Sequence, residues 1–136
     1  MRYLAVDLGD KRTGLAIGDD ELRMAQPVCV LEIPIGGLLV EAIVKAIEEH
    51  GTDELVLGLP LHMDGSAGQR VAITKRFAEK LVTATNTKIH FQDERLTSSA
   101  AEEHLAGSGK THKQKKKVRD ALAAAEILGD FLANST

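Results

Sequence analysis

The sequence predicts an α/β domain in which a mixed five-stranded sheet is flanked by helices. Three short apolar runs in the first 31 residues are separated by polar turns, which is typical of antiparallel strands. Two later apolar runs each follow an amphipathic pattern, as expected for parallel strands reached through crossover helices. No internal repeat or long linker divides the chain, so we expect a single domain over residues 1–136.

Composition excludes several classes of function. The hydrophobic fraction of 43% and the charged fraction of 27% are ordinary for a soluble globular protein. Aromatic residues make up only 3%, which disfavours a platform for stacking single-stranded bases. The net charge of −3 disfavours a protein that coats nucleic acid, although six basic residues between positions 110 and 119 permit local phosphate contact. No apolar run approaches the length of a membrane span, and we expect a cytoplasmic protein.

The first hairpin is predicted from an apolar run that ends at Asp7, a Gly-Asp turn, and a second run over residues 15–17. Apolar residues occupy both faces of the first run, which indicates a central strand covered on both sides. A third run over residues 27–31 extends the hairpin to three strands. Cys29 lies in this run, and we expect it to be a small core residue.

The first helix is predicted from apolar residues that recur every three or four positions between Leu38 and Ile47. Gly51 follows as a plausible C-cap. A buried-type strand over residues 55–60 comes next and ends in a proline.

A second helix is predicted from an apolar face between Val71 and Val82, and Ser66 with Gln69 has the form of a capping box before it. The remaining predicted elements are a strand over residues 88–92, a short helix at residues 99–102 and a helix over residues 118–132.

Three acidic positions could carry chemistry: Asp7, the pair Asp93 and Glu94, and Asp120. The first two follow the carboxyl ends of predicted strands, where open α/β sheets bind ligands. An acid in an apolar strand needs a partner, a metal or a shifted pKa, although Asp also commonly caps turns.

Asp120 falls inside the apolar arc of the last helix, near Ala124, Ile127 and Phe131. An acid that faces a sheet from a helix is costly unless something pairs with it. The alternative is an acid in the first turn that interacts with the helix dipole.

Carboxylates that converge from two strand ends and a helix would bind a hard divalent cation through oxygen. Two such cations about 3.5–4 Å apart can assist the hydrolysis of a phosphodiester. Basic residues are needed to hold the phosphates, although each one alone is more commonly a surface charge. The candidates are Lys11, Arg12, Arg95, Lys115 and Lys116.

Four blocks of the sequence resemble the signature blocks of a known protein family. Residues 6–16, 58–65, 93–97 and 120–128 resemble, in order, the signature blocks of the YqgF family, bacterial proteins described as pre-16S ribosomal RNA nucleases and as similar to Holliday junction resolvases. The resemblance implies a ribonuclease H-like fold and a nuclease site that uses Mg²⁺ or Mn²⁺.

By the same resemblance, the catalytic acids are Asp7, Glu94 and Asp120, with Asp93 as a further metal ligand. The implied role is processing of the 5′ end of pre-16S ribosomal RNA, with structured RNA and ribosomal particles as partners. The sequence departs from the pattern in two places: Leu59 and Pro60 stand where many relatives of this fold place an acid, and His62 replaces an expected asparagine.

Other functions stay open on the residues alone. The substrate could instead be branched DNA, as in a Holliday junction resolvase. The chain could also be a nucleic-acid or ribosome-binding factor without catalysis, since one fold hosts many functions. Residues 7–9 also resemble the first phosphate loop of sugar kinases, but such enzymes need a second domain, which a chain of 136 residues does not provide.

Overall fold

The structure is a computed structural model that describes residues 1–94 and 112–134, with side chains in the last helix described from position 119 onward. The described part contains five strands and three helices. In chain order they are β1 (Arg2–Asp7), β2 (Thr13–Asp19), β3 (Met24–Leu31), α1 (Gly37–His50), β4 (Glu54–Leu59), α2 (Gln69–Thr85), β5 (Ile89–Asp93) and α3 (His112–Asn134).

The strands form one mixed five-stranded sheet, as the sequence predicted, and their order is β3-β2-β1-β4-β5. The first three strands pair antiparallel, whereas β1–β4 and β4–β5 are parallel. Strand β1 is therefore central. Its last residue, Asp7, lies opposite Gly14 on β2, and the preceding Val6 lies opposite Leu57 on β4.

Side-chain alternation along β1 divides the core into two layers. Leu4 and Val6 pack in a cluster with α1 and α2 on one face, whereas Tyr3 and Ala5 pack in a second cluster with α3 on the other. Asp7 continues this alternation, so its side chain belongs to the α3 face. The acid thus lies at the edge of a layer that is otherwise apolar.

Small residues on the sheet let α3 approach the backbone closely. A Cβ atom added at Gly14 of β2 would lie 2.0 Å from the backbone oxygen of Asp120. A Cβ at Gly58 of β4 would lie 2.6 Å from the Cδ1 atom of Ile127. The two glycines therefore set the position of α3 and bring Asp120 over the end of β2 that lies beside Asp7.

Helix α3 begins earlier than predicted, at His112. Asp120 is therefore well inside the helix, and the alternative of an acid in the first turn does not hold. No helix in the described ranges is long and apolar enough to cross a membrane.

Two local predictions were wrong. Cys29 is exposed on β3, which lies at an edge of the sheet. The capping box did not form, since α2 begins after Gly68 without a side-chain cap. The predicted short helix at residues 99–102 lies outside the described residues.

Substituting Gly14 with alanine should destabilise the protein by about 1–3 kcal/mol, because overpacking a tight contact forces the backbone to shift. Gly129→Ala is a matched control on α3, since no atom lies within 4 Å of the added Cβ. That control should stabilise the protein by roughly 0.5–1 kcal/mol, because alanine favours the helix. Urea unfolding of both variants measures the difference, and equal stabilities would contradict the close approach of α3.

Candidate active site

The central feature of the site is a pair of carboxyl groups, Asp7 and Glu94, that share a hydrogen bond. Asp7 ends β1, and Glu94 follows β5, so β4 lies between them. The backbone N–H of Glu94 donates to the carbonyl oxygen of Leu59 at 3.3 Å, which holds this segment against the end of β4. The side chain can then turn toward β1.

Gly58 provides the path for the Glu94 side chain. A Cβ atom at Gly58 would lie only 2.3 Å from the Oε2 atom of Glu94, so a larger residue could not occupy this position without displacing the carboxylate. Glu94 therefore crosses β4 above a glycine and reaches Asp7. This geometry gives a physical account of the missing acid at Leu59 and Pro60: the second carboxylate comes from the neighbouring strand.

The pair has unusual protonation properties. Burial raises the pKa of Asp7 well above its ordinary value, and the charge of Glu94, the hydrogen bond with it and the charge of Asp120 raise it further. Burial also raises the pKa of Glu94, whereas the hydrogen bond with Asp7 lowers it, and the charge of Asp93 raises it. Arg70 opposes both shifts. Without a cation, the two carboxyl groups are therefore poised to share a proton.

Asp120 is held by an ion pair. Its Oδ2 atom accepts a hydrogen bond from Nε of Arg12 at 3.0 Å, and the side chains are 26% and 30% exposed, respectively. Arg12 is thus the partner that an acid on the apolar arc of α3 was predicted to need. In this conformation Arg12 faces Asp120, whereas the sequence suggested it only as a phosphate ligand.

Sequence reasoning missed Arg70, in the first turn of α2. One guanidinium nitrogen pairs with the carboxylate of Asp10, and Nη2 donates to the carbonyl oxygen of Leu8 at 3.3 Å. A usable signal was present, since a cation in the first helical turn opposes the helix dipole and needs another reason to be there.

The other predicted site residues lie as follows. Lys11 is exposed in the turn between β1 and β2, and Asp93 ends β5 opposite Leu59. Arg95 lies outside the described residues. Lys115 and Lys116 belong to α3, but their side chains are not among those described.

His62 lies in the loop between β4 and α2. It is exposed, and its Nε2 atom would be 2.3 Å from a Cβ atom added at Gly68. The imidazole therefore rests against the residue that precedes α2.

The carboxylates suit a hard divalent cation. Over residues 1–94 and 112–134, no three His, Cys, Asp or Glu side chains are grouped as a complete metal site. Asp7 and Glu94 nevertheless offer two oxygen ligands side by side, and a cation between them would relieve the repulsion between the two ionised carboxylates. Asp120 affects the pKa of Asp7 but is engaged by Arg12, so the site fits a cation held first by the pair.

Solved structures identify the class of fold. The Fowlpox virus resolvase bound to Holliday junction DNA superposes with a TM-score of 0.61 at 12% identity, covering 98% of this chain and 97% of that one. Thermus thermophilus RuvC with a Holliday junction substrate superposes with a TM-score of 0.56 at 12% identity, covering 93% and 92%. The fold is therefore the ribonuclease H-like fold of resolvases, as the resemblance implied.

The family follows from sequence. The profile described as "RuvX: Holliday junction resolvase" matches residues 1–134, and the chain belongs to this family. A relative from Anaeromyxobacter sp. named "Putative pre-16S rRNA nuclease" is 39% identical over 132 residues, which is 97% of this chain and 96% of the relative. A relative of the same name from Chloroflexus aurantiacus is 37% identical over 129 residues, covering 95% and 84%. The resemblance to the YqgF family is thereby confirmed.

Removing the buried acid should stabilise the metal-free protein. Because the pKa of Asp7 is raised on folding, its ionisation lowers stability as the pH rises from the ordinary carboxyl pKa through the folded value, and the penalty persists above it. We expect Asp7→Asn to raise the Tm by on the order of 3 °C at pH 7 in the presence of a chelator. This difference should shrink toward about pH 3, below the ordinary carboxyl pKa, where Asp7 is largely protonated in both states.

Thermal unfolding at both pH values measures the effect. Glu41→Gln, at an exposed position on α1, is the control variant. A Tm below that of the wild type for Asp7→Asn at pH 7 would show that the carboxylate of Asp7 stabilises the metal-free fold.

Proposed function

We propose that this protein is a divalent-metal-dependent endonuclease that processes the 5′ end of pre-16S ribosomal RNA. The observation that carries the proposal is the buried, hydrogen-bonded pair of Asp7 and Glu94, with Asp120 close enough to affect the pKa of Asp7. Membership of the RuvX family and the relatives named as pre-16S rRNA nucleases support a nuclease, a hydrolase of phosphodiester bonds.

In this proposal Asp7 and Glu94 would hold the cation, Mg²⁺ or Mn²⁺, through their carboxylate oxygens. Binding of the cation would displace any proton held between the two carboxyl groups. The bound metal would polarise the scissile phosphate and activate water for attack. Asp120 would serve as a further ligand after exchanging its bond to Arg12, and Asp93, whose charge already acts on Glu94, would be another.

The basic residues would bind the substrate. Lys11 is exposed on the turn that follows Asp7, so its ammonium group is available to a phosphate. Arg12 would become available when Asp120 exchanges it for metal. The other proposed phosphate contacts, from the sequence, are Arg95, Lys115 and Lys116.

A second candidate function is the resolution of branched DNA. The family description and the shared fold with resolvases solved on Holliday junctions favour it. Both substrates present phosphates to the same carboxylates, so the acid pair alone does not distinguish them. A ribosomal particle as partner, a cytoplasmic location and a single domain over residues 1–136 are further parts of the proposal.

The decisive experiment combines metal binding with cleavage. Calorimetric titration with Mn²⁺ should show binding to the wild type that weakens at least about tenfold in Asp7→Asn and Glu94→Gln, because each substitution removes a carboxylate ligand. Cleavage of a labelled pre-16S RNA fragment and of a four-way DNA junction is then compared in the same buffer. We expect the RNA to be cut, and both variants and Asp120→Asn to lose at least about a hundredfold in rate.

Glu41→Gln is the matched control, since it removes an exposed carboxylate from α1, a helix that contributes no residue to the acid pair. Cutting of the junction but not of the RNA would favour the resolvase. Undiminished cleavage by Asp7→Asn would contradict the proposed role of the pair. Metal binding without cleavage of either substrate would favour a binding factor.

A further inference from the structure

Arg70 links helix α2 to the turn between β1 and β2. Its guanidinium reaches across from the first turn of α2 and contacts two groups of that turn, the carboxylate of Asp10 and the carbonyl oxygen of Leu8. Both groups lie within three residues of Asp7. The planar guanidinium suits this double contact, because it presents several donors in a fixed geometry.

The turn itself connects the acids of the site. It leaves Asp7 at the end of β1 and reaches Arg12, which pairs with Asp120 on α3. It is also tight: a Cβ atom at Gly9 would lie 2.3 Å from the carbonyl oxygen of Arg12. A displacement of the turn would therefore move both the carboxylate that precedes it and the arginine that follows it.

We propose that Arg70 is a positioning residue of the active site, which fixes the turn over residues 8–12 so that Asp7 faces Glu94 and Arg12 stays on Asp120. This inference rests on the proposed nuclease function. It assigns a role to a residue of α2, an element that contributes no acid to the site.

A simple surface ion pair is the competing explanation. The side chain of Asp10 is 75% exposed, and pairs of this kind usually add little to stability. The contact with Leu8 argues for more, because it is partly buried and joins the guanidinium to the backbone directly after Asp7. The two explanations differ in what they predict for kcat.

A double-mutant cycle separates them. The variants are Arg70→Gln, Asp10→Asn, the combination of both, and Arg76→Gln as a control at an exposed arginine of the same helix. We expect Arg70→Gln to lower kcat by about tenfold or more with KM within about twofold, since small misplacements of catalytic groups are costly. Asp10→Asn should have a smaller effect, because the contact with Leu8 survives.

The combined variant should be no slower than Arg70→Gln, because Asp10 acts only through Arg70. The Tm of Arg70→Gln should stay within a few degrees of the wild type, since an exposed pair contributes little. Arg76→Gln should match the wild type in every measurement.

A second readout needs neither metal nor substrate. Lys11 and Arg12 are trypsin sites inside the turn, so the rate of cleavage after them reports how firmly the turn is held. The cleavage is followed as the release, once each sample is denatured, of peptides that end at residue 11 or 12. Release should be several-fold faster in Arg70→Gln than in the wild type and unchanged in Arg76→Gln.

Several results would overturn the inference. Effects that multiply in the combined variant would show that Arg70 and Asp10 act independently. A raised KM with unchanged kcat would make Arg70 a phosphate contact, and unchanged kcat with unchanged KM would leave only a surface pair. If the wild type cuts neither substrate, the nuclease proposal fails by itself. The trypsin assay then decides on Arg70, and equal release from Arg70→Gln and the wild type rejects its role.

Discussion

The contact between the carboxyl groups of Asp7 and Glu94 is the constraint on which the rest of the structure depends. Two buried acids repel each other once both are ionised, so the metal-free fold must tolerate an unfavourable pair of groups at the carboxyl ends of its strands. A cation is the natural complement of such a pair. The surrounding core has to be stable enough to hold the acids together without it.

The sheet meets this requirement through its order of strands. Asp7 and Glu94 come from β1 and β5, which are not neighbours, and the glutamate reaches the aspartate only because Gly58 leaves β4 without a side chain between them. Leu59 fixes the start of that path with a backbone hydrogen bond. The resemblance places an acid after the strand that here ends in Leu59. In this chain one glycine and one longer side chain instead bring the second carboxylate from the neighbouring strand.

Helix α3 completes the site by the same principle of close approach. Its alanines pack on small residues of the sheet. Because Gly14 has no side chain, the backbone of Asp120 approaches the backbone of β2 closely. This proximity brings the third acid within electrostatic reach of Asp7. Arg12 then pairs with it, so the charge of the third acid is balanced within the site.

Much of this could be predicted from the sequence because it depends on local pattern. Apolar runs on both faces marked β1 as central, and the helical period marked α1, α2 and α3. The same period placed Asp120 on the apolar arc of its helix, which indicated that it needs a partner. The four ordered blocks identified the family, and thereby the acids to consider, because they record residue types at fixed positions along the chain.

Only the tertiary structure decided how these residues meet. An apolar run does not reveal whether its strand lies at an edge, so the exposure of Cys29 could not be predicted. Arg12 and Arg70 looked like any surface cations, since their partners are 108 and 60 residues away along the chain. The choice of Glu94 as the partner of Asp7 likewise depends on β4 lying between them with a glycine at the crossing point. Such relations are set by packing across the sheet, and spacing along the chain carries no information about them.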